Sequence, residues 1–322
     1  MDNNNQPLTP ELVSRIRQLE EKYQLMGQDM HSYLEGLLHQ DYLKYWDYIN
    51  LDALLSLQHP RTSFPDEKTF IIYHQITELN FRLIRNSIEL IIDAPDLDAA
   101  FFVKHLKRVN NYFELLKNSF SVMFDGMDRE QFLAFRMALL PASGFQSAQY
   151  RIIEIYSTDL VNLLQHAKRA EFNADDDPQQ LLPHLYWRKG AMELSTGKKT
   201  LMLRQFEEKY DSSFTFMAND YRYKNLRRKY TALPPEEKNN AELIETMRRF
   251  DQLANVEWPL VHFRTAARYL DRKPEQIAAT GGTNWKDYMP PKNQLIMFFP
   301  ELWSEDEKSN WGKNVSKEVI GL

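Results

Sequence analysis

Two histidines, one arginine and a run of small residues are the parts of this chain able to do more than pack. Of its eight histidines, His74 and His262 sit in apolar, aromatic, helix-forming surroundings. Phe70 precedes His74 by four residues and Phe81 follows it by seven, while Trp258 lies one turn before His262. An imidazole so placed is a metal ligand, a hydrogen-bond partner for an enclosed substrate, or a satisfied core residue, and helical spacing leaves all three open. Arg136 stands five residues before Pro141, which begins Pro141-Ala142-Ser143-Gly144-Phe145-Gln146-Ser147. Small side chains there let a flat ligand approach the backbone, and a guanidinium fork suits a carboxylate. A plain turn between two helices is the competing use.

The elements that must carry these groups are helices. Glycine is scarce, with ten in 322 residues, and apolar residues recur at three- and four-residue spacing instead of alternating, so an all-α fold is expected. Thr9-Pro10 caps a first helix carrying Leu12, Val13, Ile16 and Leu19, a stripe that could pack on another subunit but is expected to pack in the core. Further helices are expected over about Tyr42 to Leu57, Lys68 to Ile92, Leu97 to Phe124, Arg129 to Leu140 and Phe145 to His166. Phe132 and Arg136, four apart, would share a helix face and offer an apolar wall beside a cation. The acidic turn Asn173 to Pro178 ends this block, and the segment from Gln179 to Leu233 is more polar and less periodic. Pro234-Pro235-Glu236-Glu237 starts a long helix reaching His262, with a kink or a helix restart expected at Pro259, just before His262. The chain after Trp303 is polar and expected to be loose.

Composition excludes several classes. Zero cysteines rules out disulfides, thiolate zinc sites, cysteine-ligated iron and a cysteine nucleophile. The net charge of -5 is spread among mixed signs, which argues against nucleic-acid and anionic-membrane surfaces. No apolar run reaches membrane-spanning length and the first residues lack a signal-peptide pattern, so a cytoplasmic location is expected. Gly197-Lys198-Lys199-Thr200 fails as a phosphate loop, because Met192 occupies the required upstream position and no strand pattern precedes it.

Several blocks bear on identity by their order. They are Tyr45-Trp46-Asp47-Tyr48 with Leu51-Asp52 and Leu54-Leu55 through Gln58; Phe70 to Gln75 with Glu78-Leu79; Phe135-Arg136 leading into Pro141 to Ser147; Trp258 to Arg268; and Thr280-Gly281-Gly282. Together they resemble the tryptophan 2,3-dioxygenase family of haem enzymes over about residues 42 to 166 and 243 to 303, and Phe298 to Leu302 looks like bacterial members. The resemblance implies one large helical-bundle domain of the tryptophan/indoleamine 2,3-dioxygenase type. It would span 41–304, with an N-terminal helical arm over 1–40, a variable helical or loop insert over 171–235 and a polar tail over 305–322.

By the same resemblance, His262 would be the proximal ligand of a haem b iron, ferrous in the active form, with Trp258, Ser143 and Gly144 lining the cofactor. His74 would be the catalytic distal residue, hydrogen-bonding the indole N–H, with Phe70 and Phe132 shaping the pocket. Arg136 would clamp the substrate carboxylate and Thr280 contact its amino-acid head group. Tyr45 and Tyr48, three apart, would complete a neighbouring subunit's pocket in a homotetramer, with core packing as the alternative. The implied reaction adds O2 across the indole C2–C3 bond of L-tryptophan and gives N-formyl-L-kynurenine. A related haem enzyme acting on a modified indole or another aromatic amino acid, and a non-catalytic haem-binding protein, are the alternatives.

The chain departs from the family pattern near the pocket. Asn80 stands where tryptophan is usual, Ala279-Thr280-Gly281-Gly282-Thr283-Asn284-Trp285 replaces a smaller glycine-rich loop, and Pro259 stands where arginine is common. The loop between Leu270 and Thr280 is about four residues longer than usual, which bears on how the site closes.

Overall fold

The computed structural model describes residues 7–40, 43–139, 146–193, 197–270 and 290–313. The chain divides into two compact units, Met1–Leu57 and Gln58–Leu322. Among the described residues there is no strand, only two isolated bridges, Leu164 with Leu185 and Met192 with Lys199, so the all-α expectation holds.

The first unit contains α1 (Pro10–Leu25), α2 (Met30–His39), α3 (Tyr45–Tyr48) and α4 (Leu51–Leu55). Thr9 caps α1 by accepting the Leu12 amide at 3.3 Å, as the Thr-Pro pair leads one to expect. The expected core use of the α1 stripe is not met within this unit. Leu12 and Leu19 are exposed and none of the four helices buries a residue, because a helix pair this small lacks the volume to enclose an apolar face. The single helix expected up to Leu57 is instead two short ones, broken by Asn50 in the left-handed region at φ 50°. Tyr42 lies outside the described residues.

The second unit is organised on α5 (Pro65–Ile92), α6 (Ala99–Ser119), α7 (Ser121–Phe124), α8 (Arg129–Phe135) and α9 (Ala148–Ser157), followed by α10 (Pro178–Leu181), α11 (Tyr186–Lys189), α12 (Leu201–Tyr221), α13 (Leu226–Thr231) and α14 (Pro235–Lys238). The chain continues through α15 (Ala241–Gln252), a π-turn over Leu253–Glu257, α16 (Trp258–Leu270), α17 (Pro291–Gln294) and α18 (Glu305–Ser309). The centre is α5 laid against α6 and α9, with α15 also packed on α6. Ile84, Ile88 and Ile91 on α5 face Phe102, Leu106, Val109 and Phe113 on α6 in one continuous core. Each such side chain contributes about 1.5–3 kcal/mol on leaving water, which outweighs the modest intrinsic stability of any one helix.

Local chemistry sets the helix ends. Glu67 in the first turn of α5 accepts the Arg61 and Thr62 amides at 2.8 and 2.7 Å, and these bonds outweigh its burial and hold its carboxyl below the usual range. The helix expected to run to Phe124 breaks at Phe120, and the one expected to run to His166 ends at Ser157, where Thr158 turns extended. Beyond α8 the chain tightens into a 3-10 turn over Arg136–Leu139. The helix expected from Pro234 starts in earnest at Asn240, whose side chain accepts the Leu243 amide at 3.1 Å.

Two regions pack better than their polarity implies. Residues 171–235 contain α12, whose Leu203, Phe206, Phe214 and Ala218 belong to the main core, although its other faces are charged. The expectation of a loose tail is also corrected up to Lys313. A Ser304–Glu307 capping box starts α18, and buried Trp311 meets Trp303 edge to face at 4.9 Å.

Candidate functional site

His74 lies in the second half-dozen residues of α5, on the face that also carries Phe70. Its Nδ1 is 2.7 Å from the Phe70 carbonyl oxygen. A carbonyl only accepts, so the Nδ1 carries the proton. Burial lowers the pKa of His74, against smaller opposing effects of Phe70 and Glu78, and favours the neutral ring. A neutral imidazole protonated at Nδ1 presents a bare Nε2 lone pair. The helix therefore delivers a hydrogen-bond acceptor at the far edge of the ring.

His262 sits five residues into α16. Burial, with a smaller contribution from the nearby His74 charge, depresses its pKa to about 4, so this ring too is neutral with a free lone pair at physiological pH. Both rings are deeply enclosed by protein yet reachable by solvent, which marks them as walls of open space and not as packed core. The satisfied-core reading of the two histidines is thereby set aside.

An aromatic cluster joins the two positions. The His74 ring lies 4.0 Å from Phe70 and edge-on to Tyr73 at 5.6 Å, and Tyr73 meets Phe120 at 5.7 Å. Phe120 then stacks on His262 at 5.9 Å and meets Trp258 at 4.7 Å, while Trp258 stacks on His262 at 6.5 Å. Phe70 also approaches Phe132 at 6.2 Å and Phe135 at 5.9 Å on α8. Phe132 packs on Tyr269 of α16 at 4.8 Å, and the Tyr269 hydroxyl donates to the carbonyls of Met123 and Met127. Helices α5, α8 and α16 thus meet on one set of rings.

Arg136 follows α8 directly, in the 3-10 turn, and is 8% exposed beside Phe132 at 9%. Its burial lowers the guanidinium pKa, yet arginine remains charged at any physiological pH. The position of α8 relative to α5 is tied by polar bonds: the Asp128 amide donates to Asp66 at 2.6 Å, and the Asp66 amide to Gln131 at 3.3 Å. Arg136 is thus a buried cation one residue beyond Phe135, whose ring belongs to the Phe70 and Phe132 cluster.

The approach to α16 is built differently. The kink or helix restart expected at Pro259 takes the form of the π-turn Leu253–Glu257 followed by α16, with Pro259 at its second position. Asp251, fully buried, accepts from Asn255 Nδ2 at 2.8 Å, the Phe298 amide at 2.8 Å, the Phe299 amide at 3.1 Å and Trp303 Nε1 at 2.9 Å. Burial still raises its pKa to about 6 against those bonds.

Other expected site residues belong to the first unit or lie outside the described residues. Ser143, Gly144, Thr280 and the Ala279-to-Trp285 loop lie outside the described residues. Tyr45 and Tyr48 belong to the first unit, within which neither is buried. Asn80 is buried and its side-chain amide donates to the Ile76 carbonyl at 2.9 Å. Sequence reasoning does not single out Phe120, Tyr73, Asp251 or Tyr269, whose importance arises from tertiary neighbours. An open cleft of about 570 Å³ around His166, Arg169 and Lys308 shares no lining residue with the histidine cluster.

Comparison with known proteins follows the same outline. A family model described as Tryptophan 2,3-dioxygenase matches residues 35–303. A protein of that name from Bradyrhizobium diazoefficiens is 32% identical over 268 residues, and one from Bradyrhizobium sp. strain BTAi1 is 30% identical over 269; each match covers 81% of this chain and 91% of the relative. A Ruegeria pomeroyi protein of the same name is 29% identical over 276 residues, with the same coverage.

Proposed function

Since the chain belongs to the tryptophan 2,3-dioxygenase family and is an oxidoreductase of that type, we propose that it is a haem-dependent enzyme that opens the indole C2–C3 bond of L-tryptophan with O2. Both oxygen atoms enter the product, N-formyl-L-kynurenine, so no external reductant is consumed. The observation that carries this reading is one aromatic cluster that joins two imidazoles, His74 and His262, through Tyr73 and Phe120.

The donor set fits a haem. His262 offers one neutral nitrogen in an enclosure walled by Phe120 and Trp258, which suits an iron that arrives with four porphyrin nitrogens of its own. His262 would hold the iron, and Trp258, Ser143 and Gly144 would line the macrocycle. When bound, haem iron supplies a route by which triplet dioxygen reacts with a closed-shell ring.

The remaining roles belong to side chains. The His74 Nε2 acceptor takes the indole N–H, while the Nδ1 bond to the Phe70 carbonyl keeps the ring from turning. Phe70 and Phe132 exclude water and bracket the indole, and Arg136 pairs with the substrate carboxylate in a charge-assisted bond strengthened by burial. Thr280 would bind the amino-acid head group. Tyr45 and Tyr48 would close the pocket of a second copy in a homotetramer, which their exposure supports. No described helix is long and apolar enough to cross a membrane.

The test is direct: haem-loaded ferrous protein, given L-tryptophan and oxygen, should form N-formyl-L-kynurenine, followed by absorbance and mass. A His-ligated haem without turnover of L-tryptophan, but with turnover of a substituted indole, would replace the substrate assignment. Failure to take up haem would overturn the reading.

A further inference from the structure

The turn that leads into the His262 helix contains a backbone group that its own register cannot satisfy. Within the π-turn, the Trp258 amide donates to the Leu253 carbonyl, five residues back. The next bond in that register would run from residue 259 to the Ala254 carbonyl. Residue 259 is proline and has no N–H to give. Ala254 is 0% exposed, so water does not replace the missing donor cheaply.

The donor comes from elsewhere. The Tyr150 hydroxyl, on α9, lies 2.8 Å from the Ala254 carbonyl oxygen. Burial raises the Tyr150 pKa well above the usual tyrosine value, so the hydroxyl keeps its proton. The Tyr150 ring also rests on Phe81 at 5.4 Å, and Phe81 meets Trp258 edge-on at 6.0 Å, one stack away from His262. The Arg151 guanidinium lies 4.7 Å over the Tyr150 ring, and Arg151 is held by Glu154 at 3.1 Å. Tyr150 therefore reaches the histidine helix twice, through a hydrogen bond before it and through two rings beside it.

We propose that Tyr150 is a positioning residue for His262: its hydroxyl stands in for the amide that Pro259 lacks and pins the π-turn, so the direction of the imidazole is set by α9. The inference deepens the haem reading and rests on it for the part that concerns iron. The structural part stands without cofactor.

Three variants test both parts: Tyr150→Phe, Pro259→Ala, which restores an N–H, and the two combined. In the cofactor-free protein, Tyr150→Phe should raise amide exchange at Trp258 and the first turn of α16 by about tenfold, while α6 stays protected. In the Pro259→Ala background the same change should have little effect, because the backbone bond is available again. In the haem-loaded ferrous protein, Tyr150→Phe should shift the iron–histidine stretching frequency and quicken haem release, and Pro259→Ala should suppress both changes. Unchanged exchange in Tyr150→Phe, or an equal effect in both backgrounds, would overturn the positioning role. Altered exchange in a protein that binds no haem would retain the clamp and sink only the haem reading.

Discussion

The two histidine helices are positioned in opposite ways. Helix α5 is one uninterrupted run of 28 residues, started by Pro65 and Glu67, and its histidine is oriented by its own helix through the Phe70 carbonyl. Helix α16 is the last part of an interrupted run, entered through a π-turn, with a proline at its second position. Its orientation comes from outside, through Tyr150 on Ala254 and through Asp251 on residues 298, 299 and 303. The His74 ring is fixed by one local, self-contained bond inside its own helix. A group that must hold one direction under load is served by clamps from distant chain segments, which do not bend with the helix itself.

The largest test of that contrast is His262→Ala. It should abolish axial ligation and reduce turnover by at least about a thousandfold, and imidazole in the buffer should restore part of the haem spectrum. A variant that kept an unaltered spectrum would break the comparison at its base. Next in size, Arg136→Leu should cut kcat/KM by about a hundredfold or more while the resting haem spectrum stays as in the parent, since a buried charge-assisted pair is lost. His74→Ala should cost less, about tenfold to a hundredfold, and its sharper signature is selectivity. The parent should prefer L-tryptophan over its N1-methylated form, which has no N–H to donate, and His74→Ala should lose that preference.

The smallest effect concerns the support beneath the clamp. Burial raises Glu154 to about 7, opposed in part by Arg151 and by the Tyr186 hydroxyl, which donates at 2.6 Å. A carboxyl whose folded pKa is raised contributes stability that is present below its ordinary value and is lost as pH climbs through the raised one. Relative to Glu154→Gln, the parent should therefore lose stability between about pH 4.5 and 7, measured by urea unfolding at fixed pH values. A difference that grew with pH in the parent's favour would mean Arg151 keeps the carboxylate ionised throughout.

Much of α5 is legible in the sequence, because its apolar spacing is long and unbroken and Pro65 marks its start. His74 and His262 are legible as candidates for the same reason: aromatic neighbours at helical spacing mark an enclosed face. The break at Asn50 is not, since asparagine is compatible with a helix interior until its φ turns positive. Helix α12 hides its core role because its acids read as a solvated face, whereas Glu207 is enclosed and bonded to buried Arg188, which also lies 2.8 Å from Asp211. Pro259 announces a distortion but not its kind; whether a proline makes a kink or sits after a π-turn depends on donors such as Tyr150, about a hundred residues away in sequence. Asp251 is an ordinary acid in an amphipathic helix until Phe298, Phe299 and Trp303 arrive around it.

That arrival has an order in time. A chain emerging from the ribosome exposes α15 and His262 well before it exposes Trp303, and domains fold as their parts become available at about 5–20 residues per second. Until the Phe298-Phe299 amides and the Trp303 indole have been made, Asp251 is a buried-site carboxylate with three of its four partners still inside the synthesis machinery. The His262 helix is thus translated early and locked late, and a chain cut short before Phe298 would carry His262 on a run whose Asp251 has lost three of its four donors.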